Sequence, residues 1–226
     1  MQSLLALANS SFKLLLRDKV FLPALVVGVV LGMVSIIVSD WSVEDFTTVV
    51  TQLTLLGFHL TGVVVALIWG SRIISEIHQK GIIESQLVTP VSRFVWLVGN
   101  FLGLIFALVV LWIILTVVWQ ILLKMNRFDW LNFQQLSVLG LLGLLWVVVA
   151  ALVFFFGTFC GPAVTLFAAA SAWAMGLTAG WAKASIGMET PANVTYILNI
   201  LAKFWDFSRL NLANQMYLGK TITYDQ

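Results

Sequence analysis

Five apolar runs, at residues 21–38, 49–70, 94–122, 136–156 and 163–181, decide what this chain can become. A helix needs about twenty residues to cross the roughly 30 Å hydrocarbon core of a bilayer, and these runs have that length. In that medium each backbone N–H and C=O must be satisfied within the protein, so such a run crosses as a helix. A transmembrane barrel would instead show alternating segments of about ten residues. Composition agrees, with 61% of the 226 residues hydrophobic and 10% charged, against about 45–50% apolar in soluble domains. The chain also carries 16 Gly and 10 Trp, both favoured in helical membrane proteins. The expected fold is all-α, a polytopic helical membrane protein forming a single transmembrane domain over residues 1–226.

One polar island interrupts the pattern. Between the second and third runs stand Ser71-Arg72-Ile73-Ile74-Ser75-Glu76-Ile77-His78-Gln79-Lys80-Gly81-Ile82-Ile83-Glu84-Ser85-Gln86-Leu87 and then Thr89-Pro90-Val91-Ser92-Arg93. The segment is amphipathic and places three bases, two acids and a histidine in water beside a greasy bundle. A soluble partner could push on it.

The flanks refine the layout. Residues 1–20 read as an interfacial helix, with Leu4, Leu5, Ala8, Phe12, Leu15 and Leu16 on one side and Asn9, Lys13 and Arg17 recurring on another. Lys13, Arg17 and Lys19 follow the apolar part, whereas a cleavable signal would place its bases first, so none is expected. The loop 39–48 holds Asp40, Glu44 and Asp45 without a base, and the loop 123–135 holds Lys124, Arg127, Asp129 and Trp130. Trp96 and Trp119 are expected at the interfacial ends of the third span. The Gly157–Pro162 stretch reads as a tight hairpin between the fourth and fifth spans. In the polar tail, 182–226, Val194, Ile197, Leu198, Leu201 and Trp205 fit one face of a surface-lying helix.

Basic residues set the expected orientation. Lys13, Arg17, Lys19, Arg72, Lys80 and Arg93 gather on the N-terminal segment and the island, while the two facing loops carry only Lys124 and Arg127. By the positive-inside rule the N-terminus, the island and the 157–162 turn face the cytoplasm, and the tail lies outside. The expected location is a bacterial inner membrane.

Within the spans, polar chemistry is sparse. His59 lies near the middle of the second run, and an intramembrane histidine is a candidate for substrate or proton handling. Gln52, Thr54 and Thr61 on the same helix favour instead a polar helix–helix contact. Gly28/Gly32, Gly99/Gly103, Gly157/Gly161 and Gly176/Gly180 are small-xxx-small pairs that permit close helix approach. Ala168, Ala172, Gly176 and Gly180 form a ladder on the fifth run. These features suit a packed bundle and a dimer.

Several function classes are excluded or left without support. No G-x-x-x-x-G-K-[ST] loop is present to cradle phosphates. Two histidines and the single Cys160, far apart, supply no metal-ligand set, and Cys160 reads as a small apolar filler. Twelve scattered bases and a net charge of +2 give no nucleic-acid footprint. A membrane enzyme would need polar catalytic groups at matched depth, and only His59 qualifies. The energy for any transport is therefore expected from a partner.

The island carries a resemblance. Ile74-Ser75-Glu76-Ile77, then Lys80-Gly81-Ile82-Ile83-Glu84-Ser85-Gln86-Leu87, Pro90-Val91-Ser92-Arg93 and Gly99-Asn100-Phe101-Leu102-Gly103 resemble the first cytoplasmic loop of type-2 ABC exporter permeases. Members typically read as an acid, two or three residues, Gly-Thr-x-Glu-x-Leu-Leu, two residues, Pro-Val-Ser-Arg and Gly-Lys-x-x-Gly. The likeness covers about thirty positions. The segment Phe204-Trp205-Asp206-Phe207-Ser208-Arg209-Leu210 resembles the region before the final span in the subgroup that includes the nitrous-oxide-reductase maturation permease.

The resemblance implies a permease subunit whose loop forms a coupling helix, docked in a groove of a separate ATP-binding subunit. Two permeases and two ATPase subunits would make the working unit, with ATP and Mg in the partner and no cofactor in this chain. Arg72, Glu76, His78, Lys80, Gly81 and Glu84 would contact the ATPase, while Pro90 and Arg93 would set the turn into the third span. His59, Ala172, Gly176 and Gly180 would line a substrate path. Asn100 departs from the family, which often has Lys there. The family usually has six spans with a cytoplasmic C-terminus, so either a sixth span is expected beyond Gln226, the favoured reading, or the tail has another role. Two alternatives fit the same sequence: a cytochrome c maturation permease, and a non-transporting scaffold that anchors a soluble complex through the island. The substrate is not legible in apolar spans.

Overall fold

The computed structural model describes residues 2–39, 46–79, 92–125 and 133–184, and every element among them is a helix. In chain order they are α1 (Gln2–Leu16), α2 (Phe21–Ser39), α3 (Phe46–Gln79), α4 (Arg93–Met125), α5 (Phe133–Gly157) and α6 (Pro162–Ala184). By length and composition α2, α3, α4 and α5 can each cross a membrane. The apolar stretch of α6, Pro162–Thr178, is shorter. The chain is thus a helical membrane protein among its described residues.

Local chemistry places the helix ends. The α1–α2 turn is held by Asp18, whose Oδ1 accepts from the Val20 N–H at 3.3 Å, the two-residues-on contact typical of an Asx turn. Pro23 falls in the first turn of α2, where a missing N–H costs nothing. Ser92 caps α4: its Oγ accepts from the Val95 N–H at 3.3 Å. Pro162 opens α6 directly after the α5 end at Gly157, and the Phe159 and Cys160 N–H groups both return to the Phe156 carbonyl. That tight turn is the hairpin expected from sequence, and Cys160 is half-buried and free of disulfide.

One boundary departs from expectation. The sequence predicts a second span that ends near Gly70, with the island as a separate segment. Instead α3 continues unbroken from Phe46 to Gln79. Residues 71–79 contain no Gly or Pro, and the Ser71 hydroxyl donates to the Ile68 carbonyl at 3.0 Å. Nothing in that stretch stops a helix, whatever its polarity.

Helix α3 is the hub. It packs against α2, α4, α5 and α6, and its membrane-crossing stretch is mostly buried, whereas little of α2 is. Phe58 stacks on Trp146 with ring centroids 4.9 Å apart, and Phe21 stacks on Trp69 at 5.9 Å. Gly62 is required beneath Trp146, because a Cβ there would run into the indole ring. Helix α4 contributes Leu104, Leu108, Leu111 and Leu115 at helical spacing, all buried. In lipid such packing stabilises through van der Waals contact rather than apolar transfer. A hydrogen bond from Trp112 Nε1 to the Leu139 carbonyl, 2.8 Å, ties α4 to α5. The outward side chains, among them Val26, Val30, Phe106, Val117, Leu144 and Phe155, are exposed and apolar, as a lipid-facing wall must be.

Trp119 does not mark an interfacial end. Its ring is 4% exposed and lines a cavity of about 20 Å³ with Gly28, Gly32, Thr54 and Leu115. The α4 helix turns that residue inward, toward α2 and α3.

Candidate functional site

The start of α2, the end of α3, the start of α4 and the α5–α6 turn lie at one end of the bundle. Contacts between Phe21 and Trp69, between Phe101 and Phe154, and between Ile74 and Gly157 fix this arrangement. The island therefore leaves and re-enters the bundle beside α1.

At this end Arg72 reaches across to the α1–α2 turn. Its Nη1 donates to Asp18 Oδ1 at 2.6 Å and to Oδ2 at 2.7 Å. The Asp18 side chain is 4% exposed and that of Arg72 49%. A carboxylate so far from water needs a charged donor, and a charge-assisted pair supplies it. Arg72, expected to contact a partner, is thus engaged within the chain.

Helix α1 lies against the first third of α4. Gly99 and Gly103 make the close approach: a Cβ on Gly103 would stand 2.8 Å from the Ala8 carbonyl oxygen and 2.7 Å from Ser11 Cβ. Between them Asn100 accepts a hydrogen bond from Ser11 Oγ at 2.6 Å and donates from Nδ2 to the Trp96 carbonyl at 2.9 Å. The Gly99/Gly103 pair, read as a possible dimer face, is occupied by α1. Asn100 has a role of its own there.

The other coupling candidates fall as follows. Glu76 and His78 lie in the helical extension of α3, and Arg93 opens α4. Lys80, Gly81, Glu84 and Pro90 lie outside the described residues, as does the tail 185–226.

Midway along the bundle, α3 meets α6. The His59 ring, 4% exposed, lies 5.7 Å from that of Trp173. Neither ring nitrogen of His59 has a hydrogen-bond partner among the described residues, and the same holds for Trp173 Nε1. Ala172 and Gly176, neighbours of Trp173 on α6, are buried inside the bundle. The inward face of α6 runs through Thr165, Ala169, Ala172 and Gly176, while Ala168 is only half-buried. Gly180 continues the helix. Two members of the expected ladder therefore serve packing within one chain. The expected polar contact on α3 is made by Thr54, whose hydroxyl pairs with that of Ser35 on α2 at 2.7 Å. Thr61 instead donates to its own helix, at the Gly57 carbonyl.

Sequence reasoning passed over Asp18, Ser11 and Trp173. Asp18 left a signal: it is the only acid before Asp40, set among Arg17 and Lys19. An acid within a basic turn calls for an internal partner. Among the described residues no group of three or more His, Cys, Asp or Glu side chains could hold a metal ion. No family model, curated protein or solved structure matches this chain.

Proposed function

We propose that the chain is the membrane-spanning subunit of an ATP-driven exporter of the type-2 ABC permease kind. In this reading a separate ATPase subunit grips residues 76–84, with Glu76, His78, Lys80, Gly81 and Glu84 as its contacts. The observation that carries the reading is the continuity of α3. The first part of the island is a direct extension of the helix that packs against α2, α4, α5 and α6. Force applied near Gln79 would reach the whole bundle through one element, with no flexible joint between. The motif likeness at 74–103 supplies the kind of partner.

The remaining features follow the same reading. Helix α6 is the fifth span, the N-terminus and island face the cytoplasm of a bacterial inner membrane, and two copies pair. Substrate passes along the α3–α6 seam, where His59 and Trp173 offer hydrogen-bonding groups beside Ala172, Gly176 and Gly180.

The test is co-purification, which asks whether an ATP-binding subunit comes with this chain, followed by reconstitution with that subunit. Wild-type chain should raise ATP turnover by that subunit, and Glu76→Arg or Gly81→Pro should abolish the rise while the chain still assembles in the membrane. Failure of any ATP-binding protein to associate would defeat the proposal. So would labelling of a Gln79→Cys variant from outside intact cells.

A further inference from the structure

We infer that Lys13, Arg17 and Lys19 form a binding site for the phosphate headgroups of anionic phospholipids. The inference is independent of any ATPase partner. All three side chains are exposed, one on the last turn of α1 and two in the turn to α2. The only acid in α1 or that turn is Asp18. Its carboxylate is turned inward and bound to Arg72 and to the Val20 N–H. The inward acid leaves its two basic neighbours, Arg17 and Lys19, pointing out without a counter-charge among the described residues.

Apolar side chains decide between a lipid and a protein. Leu14 is 54% exposed and Leu22 is 70% exposed, so bare leucines sit beside Lys13 and just after Lys19. Apolar groups beside cations, at the foot of a spanning helix, match the boundary between acyl chains and headgroups. The position is also fixed. Gly99, Gly103 and the Ser11–Asn100 hydrogen bond hold α1 against α4, and the Asp18–Arg72 pair holds the turn against α3. The backbone that carries the cations is thereby held in place, which lowers part of the ordering cost of binding.

The test uses the full chain in vesicles of mixed phosphatidylcholine and phosphatidylglycerol, with the lipids retained after solubilisation counted by mass spectrometry. Wild type should retain phosphatidylglycerol in preference. Each replacement among Lys13→Gln, Arg17→Gln and Lys19→Gln should lower that preference about fivefold, and Lys13→Arg and Lys19→Arg should keep it. Melting in pure phosphatidylcholine should be alike for wild type and variants, which guards against misfolding. The inference is overturned if wild type shows no preference. It is equally overturned if the triple Gln variant keeps the preference, or if that variant keeps its lipids and loses a co-purifying protein instead.

Discussion

Arg72 and Asp18, far apart in sequence, meet in a one-nitrogen, two-oxygen contact at 2.6 and 2.7 Å that joins the end of α3 to the α1–α2 turn. The two partners are unequally exposed, at 49% for Arg72 and 4% for Asp18. Removing either one should therefore have different consequences. Arg72→Ala strands a carboxylate away from water and should cost about 1–3 kcal/mol. Asp18→Asn leaves a guanidinium that water can solvate, keeps an acceptor for the Val20 N–H, and should cost less than about 1 kcal/mol. Unfolding of both variants in mixed micelles would read the difference. The double variant should recover most of the loss seen in Arg72→Ala.

The seat of α1 on α4 is set by Gly103. Gly103→Leu places a side chain where the Ala8 carbonyl and Ser11 Cβ already stand, so α1 must lift away. A Ser11→Cys/Asn100→Cys pair should form a disulfide readily in the wild-type background and poorly beside Gly103→Leu. Protease cleavage within residues 2–16 should speed up in that variant, while the spanning helices remain protected.

Gly62 and Trp146 are in a similar relation deeper in the bundle. Gly62→Ala drives a methyl group into the indole, and overpacking of this kind costs about 1–3 kcal/mol. The melting temperature should fall. Trp146→Phe in the same chain should recover part of the loss by shrinking the ring.

His59 gives a prediction that separates stability from activity. Both of its nitrogens are buried and unpaired among the described residues. His59→Leu, of comparable volume, removes polar atoms that lack partners and should leave stability unchanged or raised. If the α3–α6 seam carries substrate, transport by the reconstituted exporter should drop in the same variant. Equal transport with unchanged stability would remove His59 from the path.

The apolar runs announced their helices, and Phe21–Ser39, Arg93–Met125 and Phe133–Gly157 lie within a few residues of where hydropathy placed them. The extension of α3 was harder to see. Polarity changes sharply at Ser71, and a change of polarity looks like a boundary, yet helix ends are set by breakers and caps, and none occurs from Ser71 to Gln79. Ser92, by contrast, is a legible cap. The partners of Asp18 and Asn100 are 54 and 89 residues distant, so no local pattern could name them. The glycine pairs showed that helices approach closely there without showing which ones. Gly99 and Gly103 receive the chain's own α1, and the small face of α6 turns inward.

The unbroken run of α3 sets a length scale. Its 34 residues at about 1.5 Å each make a rod near 50 Å, against about 30 Å of hydrocarbon. An upright rod of that length would leave about 20 Å of stiff mast clear of the oily layer, a margin that tilt would shorten, and whatever turns the tip also turns the root. Pivoting such a rod by only about 5° about its midpoint sweeps each extremity through about 2 Å. That displacement is about half the 3.5–4 Å spacing between packed carbon atoms, and His59, near the middle of the rod, would sit close to the fulcrum.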